Sequence, residues 1–575
     1  MSEQPWFKYY GDIPHSLEYP DKTISQLILE TAEKYPENIA YDFMGKKTKF
    51  KEFANKIDIT AKALLSAGIQ KGDRVTIAMP NSPQAVNMFY ALNRIGAIGN
   101  MIHPLSAERE IAFYLNASKS VAILTLDQFY QKINDIIPDV KQPIKIIVAR
   151  IQDEFPFSLQ VGYSFTNGRK FRGIKTSENI LRWKDFIKSG KNYKEELPKD
   201  DSKADDVAAI LYSGGTTGTT KGILLSNMNI NALGLQTAAA SGYTNLSEMK
   251  MLSVMPIFHG FGLGVGIHTA LISGAQCILV PRFSIKTYAK LLKKKKPNFI
   301  PGVPTLFEAL LRCKELDGVD LSFLKGVFCG GDSLSVELKK TVDKFLKEHN
   351  ATVQIREGYG ATECVTASCL TPKDFNREGS IGVPFLDTFY TIVEQGTENP
   401  VTVGADGEIC LRGPSVMLGY MDNPKETAQT LRMHADGHIW LHTGDLGFMD
   451  EDGFVYFKQR IKRMIVTSGY NVYPSQLENI IDGHEKVSIS CVIGVKDDYK
   501  MQKIKAFVVP AQGIEPGEGL KKELFDYCRK HIAKYSMPYD IEFRQELPKT
   551  LVGKVAYRIL EEEEEKRAKT LKIHV

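Results

Sequence analysis

The sequence lacks the features that mark export, disulfide stabilisation and nucleic-acid binding. Lys and Arg total 73 against 68 Asp and Glu, an excess too small to argue for nucleic acid as the main partner. The N-terminus carries an acid and a proline where a secretory signal needs a basic start and an apolar core. We therefore expect a cytoplasmic protein with reduced thiols. The eight cysteines include no C-x-x-C pair, and their spacing indicates neither a zinc site nor a disulfide framework; they are residues 277, 313, 329, 364, 369, 410, 491 and 528.

A continuous apolar run of membrane length is also missing. The stretch Met251 to Pro281 contains no Asp, Glu, Lys or Arg and is long enough to span a bilayer. Prolines, histidines and glycines interrupt it, whereas a spanning helix favours continuous Leu, Ile and Val. The stretch therefore predicts a buried strand, turn, helix and strand, and we expect at most peripheral membrane association.

The chain has the composition of a globular protein, with 575 residues of which 43% are apolar and 25% charged, and its length calls for at least two cores. A strand, helix and strand pattern begins at Asp73. This alternation predicts a large N-terminal α/β body of layered, largely parallel sheets. Similar short apolar runs recur at Val121–Leu126, Ile146–Val148, Val207–Tyr212, Met251–Met255, Cys277–Val280 and Val327–Cys329.

The pattern changes after about residue 388 to short strands bounded by Gly and Asp turns, which predicts an antiparallel β subdomain at 388–461. A further α/β alternation follows it. We therefore predict a large domain at 1–461 and a small, mobile α/β domain at 462–575, hinged near Lys462. Two segments stand apart: the polar stretch Asp153–Asn192 predicts a surface excursion, and the run Glu561–Glu565 predicts a solvated helical tail.

The strongest chemical signal is Tyr212–Gly222, Tyr-Ser-Gly-Gly-Thr-Thr-Gly-Thr-Thr-Lys-Gly, directly after a buried strand. Its glycines let backbone N–H groups close on phosphate oxygens, and its threonine hydroxyls offer donors or metal ligands. It is not the P-loop of NTPases, because Lys221 is followed by Gly222 instead of Ser or Thr. The segment predicts a phosphate-binding loop with Thr216 and Thr217 as candidate metal ligands; its binding residues are Ser213, Gly214, Gly215, Thr216, Thr217, Gly218 and Lys221.

Two further segments supply groups that a nucleotide site needs. Glu357–Glu363 combines a flat aromatic, close-approach glycines, a hydroxyl and a carboxylate. Because a phosphate loop elsewhere needs a hard cation ligand, we predict a metal role for Glu363. Cys329–Leu334 predicts a strand-to-helix turn, capped by Asp332 or Ser333.

The remaining segments concern hydroxyl, acyl and charge recognition. Asp445 lies at a strand end, and its two carboxylate oxygens suit paired hydroxyls. The glycines of Pro256–Gly266 predict either an elongated apolar channel or close helix packing. No Ser/His/Asp order or Cys/His pairing indicates an enzymic nucleophile.

In this order the segments resemble the adenylate-forming superfamily of acyl-CoA synthetases, luciferases and peptide-synthetase adenylation domains, over about residues 30–558. The sequence is most similar to bacterial fatty acid–CoA ligases. The resemblance implies an adenine site formed by Tyr359, Gly360 and the turn at Gly331, Asp332 and Ser333. It also implies that Thr362 meets the α-phosphate, that Glu363 holds Mg²⁺, that Asp445 accepts the ribose hydroxyls, and that Arg460 and Lys462 complete the ATP site.

The resemblance also implies the catalytic groups. Lys554, in the loop Pro548–Lys554, would stabilise the charge that builds up as a carboxylate attacks the α-phosphate. The neighbouring Lys549 competes for this role, and the Gly-Lys context favours Lys554. The acyl and CoA sites are implied for His259, Gly260, Phe261, Gly469 and Tyr470, with the substrate carboxylate near His259.

We therefore expect an ATP- and Mg²⁺-dependent acyl-CoA synthetase that uses coenzyme A as co-substrate and acts on a medium- or long-chain fatty acid. The alternatives are an aryl or bile acid CoA ligase and a stand-alone adenylation enzyme that loads a carrier protein; a luciferase-type oxidase would share the adenylating motifs. Twenty-one residues follow Lys554, so we expect no fused carrier domain. The expected partners are small molecules, and the expected state is a monomer or homodimer.

Overall fold

The chain alternates helices and strands throughout, in a computed structural model that describes residues 4–165, 174–213, 220–467, 470–497, 500–550 and 554–573. The strands are β1 Ile39–Phe43, β2 Lys46–Lys49, β3 Arg74–Ala78, β4 Ile98–Met101, β5 Ala122–Leu126, β6 Lys145–Ala149, β7 Ile180–Arg182, β8 Val207–Ser213, β9 Lys221–Ser226, β10 Lys250–Ser253, β11 Gln276–Leu279, β12 Phe299–Gly302, β13 Gly326–Gly330, β14 Ile355–Tyr359, β15 Cys369–Leu370, β16 Val383–Pro384, β17 Phe389–Val393, β18 Gly407–Arg412, β19 Gly419–Tyr420, β20 Leu431–Met433, β21 Ile439–Met449, β22 Val455–Arg460, β23 Ile465–Thr467, β24 Tyr470–Val472, β25 Val487–Asp497, β26 Met501–Pro510 and β27 Asp540–Phe543.

Helices connect most of these strands. The α-helices are α1 Ile24–Lys34, α2 Phe50–Ser66, α3 Pro83–Arg94, α4 Glu108–Ser118, α5 Tyr130–Asp135, α6 Phe157–Phe165, α7 Trp183–Asn192, α8 Asn227–Ala240, α9 Thr269–Ile272, α10 Ile285–Lys295, α11 Pro304–Leu311, α12 Val336–Glu348, α13 Pro424–Thr430, α14 Pro474–Asp482, α15 Glu518–His531 and α16 Tyr557–Ile573.

Two large sheets form the body, as the alternating pattern predicts. One has nine strands in the order β16-β15-β14-β13-β12-β10-β11-β1-β2, and the other has eight in the order β19-β9-β8-β4-β3-β5-β6-β7. Most inner strands run parallel, and antiparallel strands such as β2 and β16 close the edges of the nine-stranded sheet. The α/β fold class is therefore confirmed.

The largest hydrophobic core joins both sheets through helices α1, α2, α3 and α8. Helix α3 shows how the sequence sets such an element. Ser82 caps it by accepting the Ala85 N–H, and Pro83 takes the first helical position, where no N–H partner is needed. Its residues from Pro83 to Asn93 are all buried, which suits a helix enclosed between two layers.

A smaller antiparallel sheet follows, in the order β17-β18-β21-β20 with β22 paired to β21. The prediction of antiparallel strands from about residue 388 is confirmed. The β21–β22 hairpin places Asp445 directly opposite Arg460, with an irregular register at Leu446 and Gly447. Residues fifteen positions apart in the sequence thereby become neighbours.

The last sheet, β24-β23-β26-β25 with β27 on β26, has a hydrophobic core of its own that includes residues of α14 and α15. Helix α16 continues the chain, and it confirms that the glutamate run is helical, but the prediction that the run is solvated is wrong in part. Glu564 is 7% exposed and binds the buried Lys505 ammonium at 2.9 Å, while Glu563 accepts from Arg544 at 2.6 Å. These glutamates therefore hold helix α16 against the last sheet through ion pairs with Lys505 and Arg544.

The prediction of a surface excursion at 153–192 is also wrong in part. Strand β7 extends the eight-stranded sheet, and α7 packs its buried Trp183 and Phe186 inward. A Cβ on Gly190 would lie 2.1 Å from the Ile59 carbonyl oxygen, so α7 meets α2 at backbone distance. Lysines on the outer face of α7 make the segment look polar.

The uncharged stretch from Met251 to Pro281 forms β10, a π-helix at Phe261–His268, α9 and β11, which confirms the predicted buried passage. Within the part of the chain that the structure describes, no helix combines the length and apolar character needed to cross a bilayer.

Candidate active site

The carboxyl end of β14 and the interior of β21 meet at a buried carboxylate, Asp445. The prediction that Asp445 lies at a strand end is therefore wrong, because β21 continues past it to Met449. Asp445 is 2% exposed, and its Oδ2 accepts a 2.6 Å hydrogen bond from the Tyr359 hydroxyl. Arg460 places its Nε 3.3 Å from Asp445 Oδ1. Burial raises the pKa of Asp445, and the Arg460 guanidinium opposes that rise. Within the described residues Oδ1 makes this ion pair with Arg460 but no hydrogen bond, so it retains the capacity to accept one from a ligand.

A second carboxylate lies one turn beyond Tyr359. Thr362 and Glu363 begin a short 3₁₀-helix, and Glu363 Oε1 accepts a 2.8 Å hydrogen bond from the Tyr420 hydroxyl. Lys221 lies over the Tyr420 ring, with its ammonium 4.8 Å from the ring centroid, and pairs with Glu426. Tyr420 therefore joins the candidate metal ligand to the end of the phosphate loop.

The phosphate loop itself closes the β8–β9 hairpin, in which Ser213 pairs with Lys221. The predicted binding residues Gly214, Gly215, Thr216, Thr217 and Gly218 lie outside the described residues, as does Gly469.

The turn after β13 lies next to these groups, with Gly331 in the left-handed region at φ +84°. The capping prediction for this turn is wrong: α12 begins at Val336, and Ser335 caps it by accepting the Leu338 N–H. Asp332 instead accepts the backbone N–H of Ser333, and both residues are exposed. They are thus oriented toward solvent, where a ligand could reach them.

Glu357 supports this turn from β14. Its Oε1 accepts the Leu334 N–H at 3.1 Å, and burial raises the pKa of this carboxyl to about 7. It links β14 to the turn that follows β13.

The segment around His259 packs against the 360–366 turn. A Cβ on Gly260 would lie 1.7 Å from the Val365 carbonyl oxygen, and one on Gly360 would lie 2.3 Å from that of Thr366. Gly262 and Gly264 face similarly close neighbours. Close packing, one of the two interpretations of this glycine-rich stretch, is therefore confirmed for these positions.

His259 is neutral at physiological pH. Burial, together with the nearby Lys554 ammonium, lowers its pKa to about 3. Its Nδ1 accepts the Phe261 N–H at 3.2 Å, so Nδ1 is unprotonated and Nε2 carries the ring proton. Phe261 belongs to a core cluster together with Cys329.

Lys554 reaches the same site from the last loop of the chain. A Cβ on Gly331 would lie 3.5 Å from Lys554 Cε. Burial lowers the pKa of Lys554, whereas the charges of Asp332, Asp445 and Glu363 favour its ammonium form. The structure therefore brings Lys554, His259, Tyr359, Asp445 and Glu363 together.

Two predicted residues have other surroundings. Lys462 is exposed in a short 3₁₀-helix at Ile461–Arg463, after the Arg460 contact. Tyr470 is 55% exposed and stacks on Tyr535, with ring centroids 4.6 Å apart. The structure does not place them among the residues around Asp445.

Sequence reasoning missed Tyr420 and Glu357, which hold Glu363 and the 331–334 turn. Tyr420 has no motif around it, and only the pairing of β19 with β9 brings it to the phosphate loop. Glu357 is the first residue of the segment Glu357–Glu363, in which Gly358 follows it directly. This position was the one signal in the sequence that could have indicated a role for Glu357.

The chain matches the model of AMP-binding enzymes over residues 28–421 and that of the AMP-binding enzyme C-terminal domain over residues 476–554. The chain belongs to the AMP-binding enzyme family. It is 36% identical to a long-chain-fatty-acid–CoA ligase of Bacillus subtilis, over 98% of this chain and 99% of that protein. A long-chain-fatty-acid–CoA ligase of Salmonella typhimurium is 31% identical over 97% of both chains.

Among solved structures, ATP-bound MatB from Rhodopseudomonas palustris superposes on this AMP-binding enzyme with a TM-score of 0.80. The match covers 94% of this chain and 99% of that one at 24% sequence identity, and it supports the fold alone. The observed sheets and the family match thus agree.

Proposed function

We propose that this AMP-binding enzyme is a fatty acid–CoA ligase that forms an acyl adenylate and then transfers the acyl group to coenzyme A. The observation that carries the proposal is the full-length similarity to the long-chain-fatty-acid–CoA ligase of Bacillus subtilis. The clustering of Lys554, Asp445 and Glu363 supports the chemistry, because an ammonium complements phosphate and carboxylate oxygens, while the two carboxylates can accept ribose hydroxyls and hold a cation.

Binding of ATP would use groups that the fold already holds. The Oδ1 of Asp445 would accept a ribose hydroxyl, and Arg460 beside it would balance the carboxylate charge. Tyr359 and the turn Gly331–Ser333 would contact the adenine ring. The loop from Ser213 to Lys221 would bind the phosphates, and Lys462 would lie at the edge of the ATP site.

In the first half-reaction a carboxylate oxygen of the acid attacks the α-phosphorus of ATP. A new P–O bond forms, the bond to the β-phosphate bridge breaks, and pyrophosphate leaves. Lys554 would stabilise the negative charge on the α-phosphate oxygens, with Thr362 as a second contact. Neutral His259 would orient the acid by donating a hydrogen bond from Nε2–H to the carboxylate, beside Gly260 and Phe261.

The residues fit a magnesium ion. Tyr420 occupies one lone pair of Glu363, and a carboxylate has about four such sites, so Glu363 retains capacity for a hard cation. Thr216 and Thr217 would complete the ligand set. When bound, Mg²⁺ supplies neutralisation of phosphate charge.

In the second half-reaction the CoA sulfur attacks the acyl carbonyl carbon, its proton passes to solvent, and AMP leaves. No enzymic nucleophile is required. We propose that the small domain at 462–575 turns about Lys462 between the two steps. This movement would take Lys554 out of the active site and bring Gly469 and Tyr470 into it. The exposed positions of Lys462 and Tyr470 support such a movement.

Pyrophosphate release with ATP and Mg²⁺, measured over a panel of carboxylic acids with and without CoA, tests the function. We expect saturated fatty acids to respond and continued turnover to require CoA. Response confined to aryl or bile acids would reassign the substrate, and turnover with a carrier protein in place of CoA would reassign the acceptor.

We further propose a cytoplasmic location and a monomeric or homodimeric state. The eight cysteines are all free, which supports a reducing compartment. Size-exclusion chromatography with light scattering of the purified protein distinguishes the two states, and a larger assembly would contradict both.

A further inference from the structure

Beside the candidate active site, the antiparallel sheet brings one cysteine and two histidines together. Cys410 on β18 is paired in register with His442 on β21. His434 follows β20, which borders β21 on the other side, and its backbone N–H is bound by the His438 carbonyl at 3.0 Å. Three segments of one sheet thus deliver three metal-ligating side chains to one place.

The donor atoms are close enough to share an ion. Cys410 Sγ and one ring nitrogen from each of His434 and His442 all lie within 4.8 Å of one another. The two Nε2 atoms are 2.9 Å apart and share one hydrogen bond, which a bound ion would replace. Nitrogens on a tetrahedral zinc are roughly 3.3 Å apart, given Zn–N bonds of about 2.0–2.1 Å, so small ring movements would admit the ion.

The surroundings of His442 are those of a metal ligand. Its Nδ1 lies 3.1 Å from a carboxylate oxygen of Glu408, which fixes Nδ1 as the protonated nitrogen and leaves the Nε2 lone pair for an ion. Trp440 stacks on the His434 ring at 25° between planes and holds that ring in place. Both imidazoles are therefore oriented before any ion binds.

Burial and charge also favour a cation. Cys410, His434 and His442 are 0%, 7% and 6% exposed, and Glu408 is 6% exposed. A divalent ion would be balanced by the Cys410 thiolate and the Glu408 carboxylate, which leaves a buried group with no net charge. The residual exposure of His434 gives an ion a route in.

We infer that Cys410, His434 and His442 form a binding site for one zinc ion, distinct from the magnesium site proposed at Glu363. Thiolate and imidazole ligands select zinc over magnesium, which prefers oxygen. On binding, Cys410 loses its proton to solvent, and a water completes the tetrahedron. The ion would join three segments of the sheet, and its three protein ligands leave one position open, unlike the four-ligand sites of structural zinc.

The site would also act on the candidate active site. The second oxygen of Glu408 accepts the Gly444 N–H at 3.0 Å, and Gly444 immediately precedes Asp445. Fixing Glu408 through His442 would therefore hold the turn that orients the proposed ribose-binding carboxylate.

The test is a titration of chelator-treated, full-length protein with zinc alone, in the presence of excess Mg²⁺. We expect one bound zinc per chain, and at least about 100-fold weaker binding in Cys410→Ser and His434→Asn. Glu408→Gln, which keeps all three ligands, should weaken binding about 10–100-fold. Cys313→Ser and His438→Asn are matched controls and should bind zinc as the unmodified protein does.

One measurement on the unmodified protein does not depend on variant folding. Cobalt substitution should give the thiolate charge-transfer band and the strong visible bands of a tetrahedral site. Either absence of zinc binding or an octahedral cobalt spectrum would overturn the inference.

Discussion

The candidate active site has two sides that are held in different ways. The first side carries Tyr359, Asp445, Tyr420 and Glu363, and the second is the loop that carries Lys554. Tyr359 and Asp445 are joined by a hydrogen bond across 86 positions of sequence, and Tyr420 and Glu363 by one across 57. The loop that carries Lys554 is held by bonds within itself, from Thr550 N–H to the Lys554 carbonyl and from Ala556 N–H to that of Pro548.

This difference indicates that the two sides have separate roles, one in ATP binding and the other in adenylation. The first side is set by contacts between distant parts of the fold, so its groups are in place before ATP arrives. The Lys554 loop is held by its own hydrogen bonds, which fits the proposed movement of the small domain between the two half-reactions. Changes on the first side should therefore impair binding and stability, and changes at Lys554 should impair one chemical step.

Lys554→Ala gives the sharpest test of that division. We expect adenylation to slow by about 10²–10³-fold, because the charge on the α-phosphate loses its partner. ATP affinity and thioester formation from preformed acyl adenylate should be retained. Single-turnover measurements of each half-reaction provide the readout.

The matched control for Lys554 is Lys549→Ala, an exposed lysine in the same loop, which should leave both half-reactions unchanged. Equal loss of the two half-reactions in Lys554→Ala would contradict the division between the two sides.

Asp445→Asn tests the other side. The asparagine amide keeps the shape of the side chain but replaces a charged acceptor of hydrogen bonds with a neutral one. Because a hydrogen bond to a charged group contributes about 1.5–3 kcal/mol, we expect ATP to bind about 10–100-fold more weakly. Equilibrium binding of ATP without acid measures this. Asp406→Asn changes an exposed acid that lies immediately before β18 and pairs with Lys458, and this variant should bind ATP normally. Unchanged affinity in Asp445→Asn would refute the ribose assignment.

Gly260→Ala tests whether the packed first side tolerates change. The added Cβ would collide with the Val365 carbonyl, so we expect a loss of about 1–3 kcal/mol in the free energy of unfolding. Gly266→Ala is the control, because its Cβ would lie 3.5 Å from its nearest neighbour, and its effect should stay within about 1 kcal/mol. Denaturant unfolding compares them, and equal stability would show that the 360–366 turn yields easily.

The sequence predicted the features that depend on short-range pattern. The parallel strands follow from runs such as Val207–Tyr212, and the strand, helix and strand at Met251–Pro281 follows from its interruptions. The proximity of Asp445 and Arg460 agrees with the order of the recognised segments and follows physically from hairpin register. These features need only local information.

What the sequence could not provide is side-chain pairing between distant segments. Ser335 caps α12 although Asp332 and Ser333 are equally good capping types, because the cap is chosen by where the backbone enters the helix. The glutamate run looks solvated until Lys505 is seen opposite it. Cys410 and His442 have no motif spacing and meet only through strand register.

Tyr420→Phe tests the smallest of these contacts. Removing the hydroxyl costs Glu363 one hydrogen bond, worth about 1 kcal/mol, and leaves the carboxylate less firmly oriented. We expect the Mg²⁺ concentration for half-maximal adenylation to rise about 3–10-fold, with a small change in stability. Tyr193→Phe is the matched control, since that hydroxyl also donates to a carboxylate, Glu195, but on the exposed surface. An unchanged Mg²⁺ requirement in Tyr420→Phe would mean that Glu363 is oriented by its own short helix, and the first side would then depend less on distant contacts than the Tyr359–Asp445 bond indicates.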